Sequence, residues 1–225
     1  MKSIRSAATT VAIAAAAAVL GTAAGQALVG QPHAAAPTGS TSGQVAASPW
    51  TKFSYEGAFE VERYDQLGVT VRSATVSVLG TVTDVQAGDV LIDSDGKEEM
   101  RYQSVVVNVA VDEVLSGAVT DGTSSVDVEF GPFAEEDLAS MSFDDLIGQQ
   151  SIYLLRLKGS GVDSQGITPD PALMKRNMYR VVNSTGLLDE VGGVVEAPLA
   201  DGDGFVATLE GQPFDQTVSK VDDAG

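Results

Sequence analysis

Asp201-Gly202-Asp203-Gly204, followed by Glu210, is the densest arrangement of possible metal ligands in the sequence. A hard cation such as calcium is held by several oxygens, and an EF-hand loop supplies them at set positions. Placed on that loop, Asp201 and Asp203 take the third and fifth positions, Gly204 the sixth and Glu210 the twelfth. Leu199 stands at the first position, where a carboxylate is required, and strand-like residues flank the segment where helices should. The string therefore reads first as an acidic solvated turn. A loose calcium site at Asp201, Asp203 and Glu210 is the alternative.

Other reactive chemistry is sparser. A hydrolytic triad needs a base that takes a proton near neutral pH, usually histidine. The only histidine is His33, in a Pro/Ala/Ser-rich stretch with nothing to orient it, and one histidine builds no zinc or iron site. Ser94-Asp95-Gly96-Lys97 matches the S-x-x-K string of penicillin-binding enzymes, but it sits in a turn signal and no K-T-G accompanies it. Gly159-Ser160-Gly161 lacks the first glycine of G-x-S-x-G, because Lys158 stands there. Paired carboxylates could hydrolyse sugars. With 31 acids, however, pairs arise by chance, and the single tryptophan, Trp50, makes no sugar platform. Gly192-Gly193 lies in a hairpin pattern rather than between a strand and a helix, so it is no nucleotide loop.

Charge and cysteine content narrow the classes. Thirteen basic against 31 acidic residues give −18, a field that repels phosphate backbones and anionic lipid surfaces. No nucleic-acid partner is expected. The absence of cysteine removes disulfides, thiolate metal sites and a cysteine-linked lipid anchor together.

The N-terminus carries Lys2 and Arg5, then an uncharged run over residues 11–30 centred on VAIAAAAAVL. A charged start, an apolar middle and small residues after it make a secretory signal. Cleavage after Ala24 or Ala27 is the preferred reading. Residues 11–30 would otherwise reach about 30 Å as a helix and serve as a membrane anchor, the only membrane contact expected. Residues 31–52, rich in Pro, Ala, Ser, Thr and Gly, read as a flexible linker. Residues 53–225 form the folded domain.

That domain is patterned for strands. In residues 71–84 (VRSATVSVLGTVTD), Ala74, Val76, Val78, Gly80 and Val82 share one face, while Ser73, Thr75, Ser77, Thr81 and Thr83 share the other. Period two with one apolar face predicts a half-buried strand, and Gly80 on that face predicts a bulge or bend. Val90-Leu91-Ile92 leads to a turn over residues 93–96, and residues 100–111 return as a long strand. Val126, Val128 and Phe130 alternate in another. Residues 134–147 change to helical spacing behind Glu135, Glu136 and Asp137, which suit a helix N-terminus. Residues 152–157 (IYLLRL) read as a central strand, 159–175 as a polar loop, 179–182 as sheet and 186–195 as a hairpin. Phe214, Val218 and Val221 mark a short terminal helix.

One long bent strand, several shorter ones and an intervening helix fit a mainly β fold, a small closed or partly open OB-like barrel. The succession VLGTVTDV, VVVNVAVDEVLSG, SIYLLRL and YRVVNSTGLL resembles secreted actinobacterial proteins with OB-like domains of unknown function. The likeness covers about residues 70–195 and implies a barrel and an exported location, with no functional residues to carry over. The expectation is an exported, cell-envelope binding or interaction module that meets an extracellular protein or polymer. An extracellular hydrolase using paired carboxylates is the alternative, and a calcium-dependent structural protein the third.

Overall fold

The structure is a computed structural model that describes residues 47–54, 63–94, 99–158, 178–202 and 204–225. The expectations for the export segment, for His33 and for the loop at 159–175 lie outside those residues, as do Asp95 and Gly96 of the turn expected at 93–96, whereas Asp93 and Ser94 of that turn are paired strand residues.

In chain order the described elements are α1 (Leu67–Ser73), β1 (Val76–Ser94), β2 (Glu99–Gly117), β3 (Ser125–Ala134), α2 (Glu135–Leu138), β4 (Gln150–Leu157), β5 (Met178–Val181), β6 (Leu187–Val191), β7 (Val194–Glu196) and α3 (Phe214–Ala224). The fold is mainly β, as expected. The strands make one sheet in the order β1-β2-β3-β5-β4-β6-β7, and β1 also pairs with β4. The first five strands therefore close a ring of hydrogen bonding. All its pairs are antiparallel except β3 with β5.

β1 closes the ring because its first stretch has partners on both sides. Val76 to Thr81 pair with β2 from Gly117 to Ala110 and with β4 from Leu155 to Gln150. The expected irregularity is present, since the β1–β2 register shifts between Leu79 and Gly80. A Cβ on Gly80 would lie 2.5 Å from Val109 Cγ1 and 2.7 Å from the Ala110 carbonyl oxygen. No side chain fits there. The strand then runs on to Ser94, so Val90-Leu91-Ile92 belongs to the same strand rather than a separate one.

Two apolar layers flank the ring strands. Inside, Val76, Val78 and Val82 meet Val105, Val107, Val109, Val126, Val128, Phe130, Tyr153 and Leu155. Outside, Ile152 and Leu154 of β4 meet Val71 of α1, Phe214 and Val221 of α3, and Leu188 and Val195 of the β6–β7 hairpin. β4 is buried on both faces, which is why its sequence is a continuous apolar run. The central placing of that strand is as expected.

The outer layer corrects two expectations. Residues 71–73 belong to α1, not to the strand, and Val71 is buried in the outer layer. Ser77, assigned to the wet face, is fully buried opposite Leu154 because that face is covered in turn. Its hydroxyl has no hydrogen-bond partner.

The single helix expected over 134–147 is instead α2, of four residues, and a 3₁₀ turn at Asp144–Leu146. Ser140 Oγ donates to the Asp137 carbonyl at 2.7 Å, the local competition by which serine ends a helix. Of the residues that set the helical spacing, Leu138, Met141 and Leu146 still reach the inner core, while Ile147 is 49 % exposed. The 186–195 hairpin forms, with Gly192 and Gly193 at φ of 62° and 85° in the two-residue turn between Val191 and Val194. The terminal helix forms with Phe214 and Val221 buried.

The linker assigned to 31–52 ends sooner than expected. Pro49–Phe53 is a 3₁₀ turn, capped by Ser48 Oγ accepting from the Trp50 N–H, and Trp50 is fully buried. The Trp50 and Phe53 rings lie 5.4 and 4.6 Å from that of Phe130. Two large aromatic rings outweigh the Pro/Ser composition around them, because each removes a large apolar area from water.

Candidate functional site

Glu129 occupies an outward position on β3, between the inward Val128 and Phe130, yet only 5 % of it is exposed. Two cations cover it. Lys158 Nζ, just past β4, donates to Oε1 at 2.7 Å, and Arg180 Nε on β5 donates to Oε2 at 2.7 Å. The parallel pairing of Val128 with Tyr179 brings Glu129 and Arg180 side by side. Asp89, in the β1 irregularity between Ala87 and Val90, meets Lys158 from the other side at 3.3 Å. Burial alone would raise the Glu129 pKa. The hydrogen bonds and charges of Lys158 and Arg180 outweigh it and hold the carboxyl below its ordinary range.

Beside this cluster lies a cleft of about 260 Å³ with a floor of Phe53, Phe130, Val181 and Leu199. Arg63, Arg180, Glu129 and Asp201 bring charge to its walls. Arg180 turns one edge of its guanidinium to Glu129 and leaves the side chain 57 % exposed. Among the described residues no carboxylate pairs with Arg63.

A second acid is sealed in the core. Asp189 on β6 is fully buried and accepts from Ser48 Oγ at 2.6 Å and from Ser151 Oγ at 2.8 Å. Burial pushes its carboxyl up, and the two hydroxyl hydrogen bonds oppose that shift. Ser48 thereby ties the start of the domain to β4 and β6. The two carboxylates have environments that separate their pKa values, the pattern sought in an acid–base pair. Here Glu129 is held ionised with both oxygens occupied, and Asp189 has no exposed surface.

The far end of the β1–β2 hairpin forms an arm. Among the described residues, 92–94 and 99–101 pair only with one another, since β3 pairs with β2 from Tyr102 inward. Val90, Leu91, Ile92 and Met100 are each between 43 and 57 % exposed. Successive strand residues point to opposite faces, so apolar side chains project from both sides of the arm. A hollow of about 430 Å³ at its base is lined by Met100, Arg101, Tyr102, Glu135 and Glu136, with Arg101 Nε paired to Glu135 at 2.9 Å.

Of the calcium candidates, Asp203 lies outside the described residues. Asp201 is exposed in the Phe53–Phe130 cleft, while Glu210 is exposed in a different groove beside Glu196. Among the described residues no group of three or more acidic or histidine side chains could hold a metal ion. The segment is flanked by β7 before it and a 3₁₀ turn, Val206–Thr208, after it.

Sequence reasoning missed Glu129, Lys158, Arg180 and Asp189. In the sequence Glu129 is one acid in an alternating strand, beside Asp127. Its partners stand 29 and 51 residues away, and only strand pairing joins them. Asp189 was detectable in one respect, as an acid inside the apolar LLDEV hairpin strand. In comparisons with known proteins, no family model and no curated protein matches the chain.

Proposed function

We propose that this chain is an exported, non-catalytic interaction module, an OB-like barrel that presents the β1–β2 arm to a protein of the cell envelope. The ring of β1, β2, β3, β5 and β4, with β3 and β5 parallel, supports the barrel reading. The single observation that carries the interaction reading is the arm, with four large apolar side chains in water that belong to neither core. Large apolar side chains left in water on both faces of a projecting strand pair mark a binding surface. Its occupant is a neutral-to-basic extended segment. Glu135 and Glu136 line the hollow at the base of the arm, and a chain of charge −18 repels a second copy of itself as well as nucleic acid and anionic lipid.

A carboxylate hydrolase needs an acid that is protonated and within reach of substrate. Glu129 is held ionised and Asp189 is sealed, so neither supports that alternative. The test uses a fluorescent peptide of alternating lysine and valine, titrated with the purified chain at low salt. Binding should weaken by about tenfold or more in the Leu91→Ser, Ile92→Ser double variant, and a glutamate–valine peptide should not bind. Equal binding by parent and variant removes the arm from the proposal. A dimer that the double variant abolishes would replace the envelope partner with a second copy.

A further inference from the structure

We propose that the Phe53–Phe130 cleft is a binding site for a small organic monoacid with an aromatic or apolar body, its carboxylate held by Arg63 and Arg180. The site is independent of the arm. Its floor is already built, because Phe53 and Phe130 stack at 4.6 Å and line the cleft while 3 and 5 % exposed, held fixed by their packing, with Leu199 beside them. An apolar floor with a few convergent polar groups is the usual make-up of a small-molecule site. About 260 Å³ falls just below the roughly 300–1,000 Å³ of sites for drug-sized molecules, so the occupant is smaller than those.

The charge pattern names the group that binds. The chain has 31 acids for 13 bases, so a cleft with two guanidinium groups on its walls is a local concentration of positive charge in an acidic protein. Among the described residues Arg63 has no carboxylate partner, which leaves its guanidinium open to a ligand. Asp201 lines the same cleft without forming an ion pair with it. Arg180 supplies a second guanidinium that needs no reorganisation, because Glu129 fixes one edge of it and leaves the rest exposed. A planar guanidinium matches a carboxylate through paired N–H donors, which a neutral amide cannot reproduce. Asp201 on the rim opposes a second negative charge, which selects a monoacid over a dicarboxylate. No described residue of the arm lines the cleft, and the two sites can be tested apart.

The probe is 3-phenylpropanoate, titrated into the full chain and followed by NMR chemical shifts, beside 3-phenylpropanamide and phenylsuccinate. The expected result is saturable binding of the monoacid, with the amide and the diacid each about tenfold weaker or worse. Arg63→Gln should weaken the monoacid by a similar factor while melting like the parent, since Arg63 is exposed and supports no packed group. Asp201→Asn should let phenylsuccinate bind more tightly. The Leu91→Ser, Ile92→Ser variant should bind 3-phenylpropanoate as the parent does, which separates failure of the cleft from failure of the arm. Equal affinity for acid and amide, an unchanged Arg63→Gln, or no saturable binding of 3-phenylpropanoate at millimolar concentration would overturn the proposal.

Discussion

Glu129 and Lys158 meet at 2.7 Å across the outside of the strand ring, 29 residues apart in the chain and both nearly buried. Breaking such a pair from one side strands the other charge, and that penalty exceeds the value of the pair itself. Glu129→Gln should therefore destabilise the chain by about 3 kcal/mol at pH 7. The sign with pH follows from the lowered carboxyl. Its contribution is complete above the unfolded glutamate pKa near 4.3 and is lost as pH falls through the lower folded value. Urea melts of parent and variant should thus diverge at pH 7 and converge in acid below about pH 4. A gap that does not change between pH 7 and pH 3 would show that packing, not charge, sets the cost.

Gly80 and Ser77 stand three residues apart on β1 and should respond in opposite ways. Gly80→Val drives a side chain into Val109 and the Ala110 carbonyl, and should cost roughly 3 kcal/mol or more. Ser77→Ala removes a buried hydroxyl that has no partner, at little change in volume. It should be neutral or stabilise by up to about 1 kcal/mol. A loss of stability in Ser77→Ala would mean that the hydroxyl is satisfied by a group such as a bound water. Thermal or urea melts of the two single variants suffice.

Asp189 predicts the reverse pH behaviour to Glu129. Its raised carboxyl means the fold favours the protonated form. That stability is complete below the unfolded aspartate pKa near 3.9 and is lost as pH rises through the folded value. Asp189→Asn keeps an acceptor for Ser48 or Ser151 and carries no charge. It should gain on the parent by on the order of 1 kcal/mol between pH 4 and pH 7. Trp50→Ala, which empties the space beside the same N-terminal turn, should cost about 3–5 kcal/mol at any pH in that range. If Trp50→Ala melts like the parent, residues 48–53 are not part of the folded domain.

Several features of this protein were legible in the sequence because they are local. The alternation through Val76, Val78 and Val82, or Val126, Val128 and Phe130, records one buried face within a few residues, and the strands lie where it put them. The continuous IYLLRL run marked the strand buried on both sides, Gly80 marked the close approach, and Gly192-Gly193 marked a tight hairpin. What the tertiary structure decided is which surfaces receive a second cover. Ser77 looks wet from its neighbours and is dry because α1, α3 and the β6–β7 hairpin close over that face. Trp50 looks like part of a tether and is core because Phe53, Phe130 and Tyr153 surround it. Glu129 and Asp189 look like ordinary acids until Lys158 and Arg180, or Ser48 and Ser151, arrive from distant strands. Periodicity reports what a residue's own element prefers. Cover and charge pairing depend on which elements meet, and that is settled only when the ring closes and its outer layer docks.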